Sequence, residues 1–295
     1  MQPSFDFQRY IEVRKNPSRR RTLVGDFGEY AYSADLRVLQ SLSYARPVRL
    51  AAEASVRAFK AWRKSDILGS SVRVSARQFP RLHELAAQCA AELHIPAPVL
   101  YVTKDFASIN AATLGTETDS FILLNSAAVD RLSDAELKFV IGHECGHIQN
   151  SHVTYRTALF FLTHMTGIFL KWIVTPARLA LMGWSRRAEV TCDRAGLLCC
   201  GDPDVAISTL VKLAVGSQAL TDEIDLDQYL EQLEGIKEGL GRVSEYMMTH
   251  PYLPKRVKAL QTFTQSEYFR RRLGQEGGLS LAEVDKQVDE IISVL

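Results

Sequence analysis

No stretch of the sequence runs uncharged and apolar for the roughly 18–20 residues that a membrane-spanning helix needs, so a bundle embedded in the bilayer is not expected. Cysteine is scarce and irregular: Cys89, Cys145, Cys192, Cys199 and Cys200 make an odd number, and the last two are adjacent. That excludes an ordinary disulfide framework and fits a reducing compartment, the cytoplasm in the plainest reading. Net charge is nearly absent, with 35 basic against 34 acidic side chains, so no global field points to nucleic acid. The first residues, Met1 to Phe7, lack the apolar core of a signal peptide. Internal repeats and low-complexity blocks are also missing.

What is there is the composition of a globular protein. The 295 residues are 46% hydrophobic and 23% charged, enough for one large or two ordinary domains and for a sizeable core. Disorder as the dominant state is excluded. Charge is laid down unevenly: residues 1–80 carry 15 basic and 7 acidic side chains, and residues 201–295 carry 10 and 16. The opening 20 or so residues, ending in Arg19-Arg20-Arg21, read as a solvated arm. From Ser33 to Lys64 the pattern is helical, with Leu36, Leu39 and Leu42 on one face and Phe59 and Trp62 turned inward. Ser71–Ser75 alternates as a short strand. Phe79–Leu93 is an amphipathic helix, stopped by Ile95-Pro96-Ala97-Pro98. Val99–Val102, Asn110–Gly115 and Ser120–Leu124 read as three strands.

The chemistry concentrates in one helix. Ser133-Asp134-Ala135-Glu136 is a capping box before an apolar run, and inside that run lies His143-Glu144-Cys145-Gly146-His147. Histidines at i and i+4 project from one helix face. Two imidazoles so placed can bind one Zn²⁺, and Glu144 stands where it could take a proton from a water at the metal. Gly142 and Gly146 each cost about 1 kcal/mol against alanine in a helix. They ask for a reason, such as a close approach of backbone or substrate. A catalytic zinc needs a third protein ligand. Glu189 and Asp193 are also i and i+4, so one can bind metal while the other takes the free N–H of a ligand histidine. Cys192 is the rival ligand. A plain charged face, with both carboxylates paired to Arg186, Arg187 or Arg194, is the bland alternative.

These pieces, taken in order, resemble the M48 family of zinc metallopeptidases, the HtpX and Ste24 relatives. The resemblance covers roughly residues 72–260. It rests on Asn110-Ala111, the apolar strand Phe121–Leu124, Leu132–Leu137, His143–His147, Glu189-x-x-x-Asp193 and the closing run Thr249-His250-Pro251 to Arg256-Val257. It implies one Zn²⁺ per chain, held by His143, His147 and Glu189, with Glu144 as general base and acid. Asp193 would orient a ligand histidine, Arg256 would brace Asp193, and His250 would lie near the metal. Phe121, Ile122, Leu123 and Leu124 would form the edge that aligns substrate by strand addition, beside Asn110. The implied fold is α+β: a mostly helical zincin-like (gluzincin) domain with a small twisted sheet beside the zinc helix. We expect residues 1–70 to form an arm and helical region, 71–262 the peptidase domain and 263–295 a helical extension.

One feature departs from the membrane members. The stretch Thr157–Trp184 is apolar, yet His164, Lys171 and Arg178 interrupt it and Pro176 breaks it. A buried or cleft-covering helix pair is therefore expected, with peripheral membrane contact through Thr157–Trp184 as the alternative. The expected partner is a peptide or unfolded protein, not nucleic acid. Two other functions stay open on the sequence: a latched, catalytically weak binding module, and a membrane-surface processing protease. Ser280-Leu281-Ala282-Glu283 is a second capping box, opening a last helix with Val284, Val288, Ile291 and Ile292. Cys145 and Cys192 read as small packing residues.

Overall fold

The computed structural model describes residues 27–59, 64–105, 108–164, 171–236, 245 and 248–293. The basic arm, Trp62 and the side chains of Lys171 and Trp172 lie outside the described residues. The fold is mostly helical around one four-stranded sheet. Its strands are β1 (Ser71–Arg73), β2 (Val99–Thr103), β3 (Ala111–Thr116) and β4 (Asp119–Asn125), in the order β1-β2-β4-β3. β2 runs parallel to β4, and the two outer pairings are antiparallel.

This order corrects one expectation. Phe121–Leu124 is not an edge: β4 is hydrogen-bonded on both sides, with Ile122 and Leu124 fully buried. The edge toward the zinc-motif helix is β3, because the short β3–β4 turn folds it outside its partner. Gly115 allows that turn. Its φ of +118° suits glycine, and an added Cβ would stand 2.1 Å from the Asp119 carbonyl oxygen. The far half of β3 is covered, since Gly115 N–H donates to Thr157 Oγ1 at 2.9 Å. Ala111 and Ala112, at the near end, are half-exposed.

The helices that matter are α1 (Ser33–Tyr44), α2 (Arg46–Ala58), α3 (Pro80–Glu92), α4 (Asp134–Gln149), α5 (Val153–His164) and α6 (Lys171–Cys200). They are followed by α7 (Pro203–Val215), α8 (Leu253–Thr264) and α9 (Leu281–Ile292). Both capping boxes form. Ser133 and Glu136 close the start of α4, and Ser280 and Glu283 the start of α9. α9 packs back through Val284, Val288 and Ile292, and Asp285 pairs with the buried Arg194 at 2.8 Å.

Among the described residues there are two large apolar cores and a small third one of Phe59, Leu114 and Phe121. The largest joins the sheet, α3, α4, α7, α8 and α9, with the second half of α6. The second joins α1, α2 and α5 to the first half of α6 through Leu39, Leu42, Tyr155, Leu181 and Trp184. The stretch Thr157–Trp184 thus contributes to a helix pair packed on α1 and α2. Pro176 does not end a helix; it lies inside α6 as its sixth residue. Among the described residues, no helix is long and apolar enough to cross a membrane.

Candidate metal centre

The two motif helices meet at very short range. A Cβ on Gly142 would lie 2.6 Å from Cys199 Cβ, and one on Gly146 would lie 2.7 Å from Ala195 Cβ. On the other side, a Cβ on Gly196 would meet the Phe139 carbonyl oxygen at 2.7 Å. The glycines therefore serve helix-on-helix approach, not approach of substrate. That contact brings His143 and His147 of α4 against Glu189 and Asp193 of α6, all of them buried.

The four side chains are arranged around Glu189. His143 Nε2 lies 3.4 Å from Glu189 Oε2, and His147 Nε2 lies 3.6 Å from Glu189 Oε1. Two atoms bound at about 2.0–2.1 Å to one tetrahedral Zn²⁺ would be about 3.3–3.4 Å apart, and each imidazole stands near that spacing from Glu189, through a different carboxylate oxygen. His147 Nε2 and Glu189 Oε2 are also buried without a hydrogen bond. Orphaned buried polar atoms are costly, and a cation held between them would satisfy both. Cys192 fits less well. A grouping of His143, His147 and Cys192 exists within 4.8 Å, yet Cys192 Sγ touches His147 through Nδ1, at 3.1 Å. That is the side of the ring away from Glu189. Burial raises the Cys192 thiol pKa well above its ordinary range, aided by the Glu189 charge. Cys145 is buried packing, as its composition suggested.

Charges around the pair set its protonation. Burial opposes ionisation of Glu189, but His250, His143 and Arg256 outweigh it and hold its pKa well below the usual carboxylate range. Burial likewise disfavours a charged His143, yet Glu189 and Asp193 raise its pKa to about 9. His147 goes the other way: burial and the Arg156 charge push it well down, so it stays neutral. Asp193 Oδ1 lies 3.0 Å from His143 Nδ1, which leaves Nε2 toward Glu189. Asp193 is itself gripped by Arg256, through Nε at 2.8 Å and a terminal nitrogen at 2.6 Å. This fork is strong and directional. Arg256 stands in the first turn of α8, and its other contact is Glu189 Oε2 at 3.5 Å.

Glu144 is 4% exposed and opens onto the same pocket as His143, Glu189, His250 and Arg256. Asn110 and Ala111 line that pocket beside the free end of β3, together with the apolar Phe139, Val140 and Leu213. His250 is half-exposed, with Nε2 3.4 Å from Glu189 Oε1. Arg186 anchors the segment before it by donating to the Met248 carbonyl at 2.9 Å. His143, Glu144, Glu189, His250, Arg256 and Asn110 thus line this pocket, His147 and Asp193 touch residues that do, and Phe121–Leu124 reach it only through the pairing of Leu124 with Ala111.

Three neighbours went unread in the sequence. Thr113 of β3 donates to Glu144 Oε2 at 2.6 Å and tethers that carboxylate. Arg156 of α5 donates to Glu189 Oε1 at 2.7 Å and lines the pocket. His152, just past α4, sits with Nδ1 3.1 Å from His147 Nδ1. The one available signal was crowding: three of the seven histidines fall within ten residues, at 143, 147 and 152.

Residues 76–264 match the family model described as peptidase family M48. The chain belongs to peptidase family M48. Relatives carry the family's character in their names. The plastoglobule-localized metallopeptidase 48 of Arabidopsis thaliana is 32% identical over 218 residues, covering 70% of this chain and 63% of that protein. The chain thus matches less than two thirds of that relative's length. A protease HtpX homolog of Moorella thermoacetica is 27% identical, covering 67% of this chain and 77% of its own. Protease HtpX homolog 2 of Methanosarcina mazei is 23% identical, with 65% and 75% covered. A relative named as a metallopeptidase and the family match together point to a metal cofactor. No solved structure matches the chain.

Proposed function

We propose that the chain is a zinc-dependent endopeptidase in which His143, His147 and Glu189 hold the metal and Glu144 is the general base. The observation that carries this reading is the convergence of His143, Glu189 and Glu144 on one open pocket, with His147 buried behind it against the same Glu189 carboxylate. Bound zinc would supply a Lewis acid that acidifies water and polarises the scissile carbonyl.

The rest falls to the chain's own residues. Glu144, tethered by Thr113, accepts the proton of the attacking water and passes it to the leaving nitrogen. Asp193, gripped by Arg256, accepts a hydrogen bond from His143 Nδ1–H and so fixes that ring's tautomer. His250, at the pocket mouth, offsets charge that develops on the carbonyl oxygen. Substrate backbone extends the sheet at Ala111–Ala112, the half-exposed end of β3, with Asn110 beside it. Phe139, Val140 and Leu213 favour an apolar substrate side chain. Peptides and unfolded proteins are the substrate class, since only an extended backbone can add to that edge.

The test is cleavage of a denatured protein by the zinc-loaded chain beside its Glu144→Gln variant. The variant should keep its zinc and lose about 10²–10⁴ of the rate. Equal rates in the two proteins would overturn the mechanism.

A further inference from the structure

The back of the metal site is built by a helix outside residues 76–264. His147 turns Nε2 toward Glu189 and Nδ1 into the protein. Behind Nδ1 stand two groups, His152 Nδ1 and Cys192 Sγ, each at 3.1 Å. Behind His152 stands Asp35 of α1, with Oδ2 3.0 Å from His152 Nε2, a close charge contact off the hydrogen-bond direction that leaves Nε2 buried without a hydrogen bond. Asp35 is fully buried. It accepts from Trp184 Nε1 at 2.8 Å and from Thr191 Oγ1 at 2.7 Å. The Trp184 ring meets His152 edge to face, with centroids 5.3 Å apart, and so fixes its plane. Backbone geometry places His152 as well: Ser151 takes a φ of +56°, and His152 N–H returns to the His147 carbonyl at 3.0 Å.

We infer that Asp35, acting through His152, locks His147 in the tautomer that presents a bare Nε2 to the metal. The inference rests on the ligand set proposed above. Its logic is proton counting. A ligating His147 Nε2 carries no proton, so Nδ1 carries one and must donate it. A thiol is a weak acceptor, which leaves His152 Nδ1 as the acceptor. His152 then holds its own proton on Nε2, where the Asp35 charge 3.0 Å away attracts it. A carboxylate offers only lone pairs there, and two other donors already fix its direction. The polarity of the line Asp35, His152, His147 is therefore set from its buried end. Asparagine at position 35 has nearly the same shape but can offer N–H to His152 Nε2. The His152 proton would move to Nδ1, and two N–H groups would then face each other across 3.1 Å.

Asp35 is a positioning residue in this account, and α1 is part of the metal site. The experiment measures Zn²⁺ affinity of the full chain by competition with a chromophoric chelator, for the wild type, Asp35→Asn and Thr191→Val. Asp35→Asn should bind zinc about 10–100-fold more weakly, as outer partners of ligand histidines typically do. Thr191→Val removes a hydrogen bond at the same carboxylate yet keeps its charge, and should stay within about threefold of the wild type. Equal losses in both variants, or no loss in Asp35→Asn, would overturn the inference. A reading independent of folding in the variants comes from ¹⁵N spectra of histidine in the zinc-loaded wild type. His152 should carry its proton on Nε2, and a proton on Nδ1 would contradict the account. A wild type that binds no zinc would instead overturn the ligand set itself, so the two failures are distinguishable.

Discussion

The two proposed ligand histidines differ in what stands behind them. His143 leans directly on a carboxylate, Asp193, one helix away, and that carboxylate is clamped by Arg256. His147 leans on a second imidazole, His152, and reaches a carboxylate only beyond it, on α1. The first support draws its residues from within the family segment, and the second ends outside it. Their electrostatics differ in the same sense. His143 sits between two carboxylates and is pulled toward the charged form, whereas His147 is buried beside Arg156 and stays neutral. A metal site can thus be built from one short motif and still take its two anchors from different parts of the chain.

The largest effect is expected at the residue both histidines share. Glu189→Ala removes the carboxylate between them, and zinc should be lost on dialysis against a competing chelator. Full retention would move the third ligand elsewhere and dissolve the comparison. Next comes Asp193→Asn, which unsettles only the His143 side. Zinc affinity should fall toward the upper end of about 10–100-fold, because Asp193 touches the ligand ring without an intermediary. A smaller loss than in Asp35→Asn would reverse the ranking of the two supports.

Gly146→Ala tests the contact that holds the two sides together. The new methyl would press on Ala195 Cβ at 2.7 Å, and stability to denaturant should drop by about 1–3 kcal/mol. The smallest change is expected far from the metal. Glu136 accepts from the buried Lys212 at 2.7 Å. Burial works against its ionisation, but Lys212 and Ser133 more than compensate and lower its pKa. Glu136→Gln should cost about 1–2 kcal/mol and leave zinc affinity unchanged. Because the folded-state pKa is the lower one, the wild-type advantage is present above about pH 4.3 and shrinks as pH falls through the folded value. An advantage that persists in acid would contradict the pairing.

Much of the site was legible because its key spacings are local. His143 and His147, and Glu189 and Asp193, are i, i+4 pairs, and a helix converts that spacing into a shared face without help from the rest of the fold. The capping boxes at Ser133 and Ser280 were legible for the same reason. The strand order was not. β2 pairs directly with β4 and skips β3 in sequence, so which strand becomes the edge depends on a crossover that no local pattern encodes. Phe121–Leu124 was expected as the substrate edge from the family resemblance, but an apolar strand is what the middle of a sheet requires. Gly142 and Gly146 announced a close approach, whereas their partners, Ala195, Gly196 and Cys199, became visible only once α4 and α6 were crossed. Thr113, Arg156 and Asp35 arrive from a strand, a following helix and the N-terminal region, each an ordinary residue in its own segment.

The central claim is that two imidazoles and the Glu189 carboxylate form the metal centre, with Cys192 behind it. X-ray absorption at the zinc edge of the loaded chain tests this directly. The account predicts only nitrogen and oxygen neighbours, at about 2.0–2.2 Å. A sulfur neighbour at about 2.3 Å would contradict it and bring Cys192 into the coordination sphere.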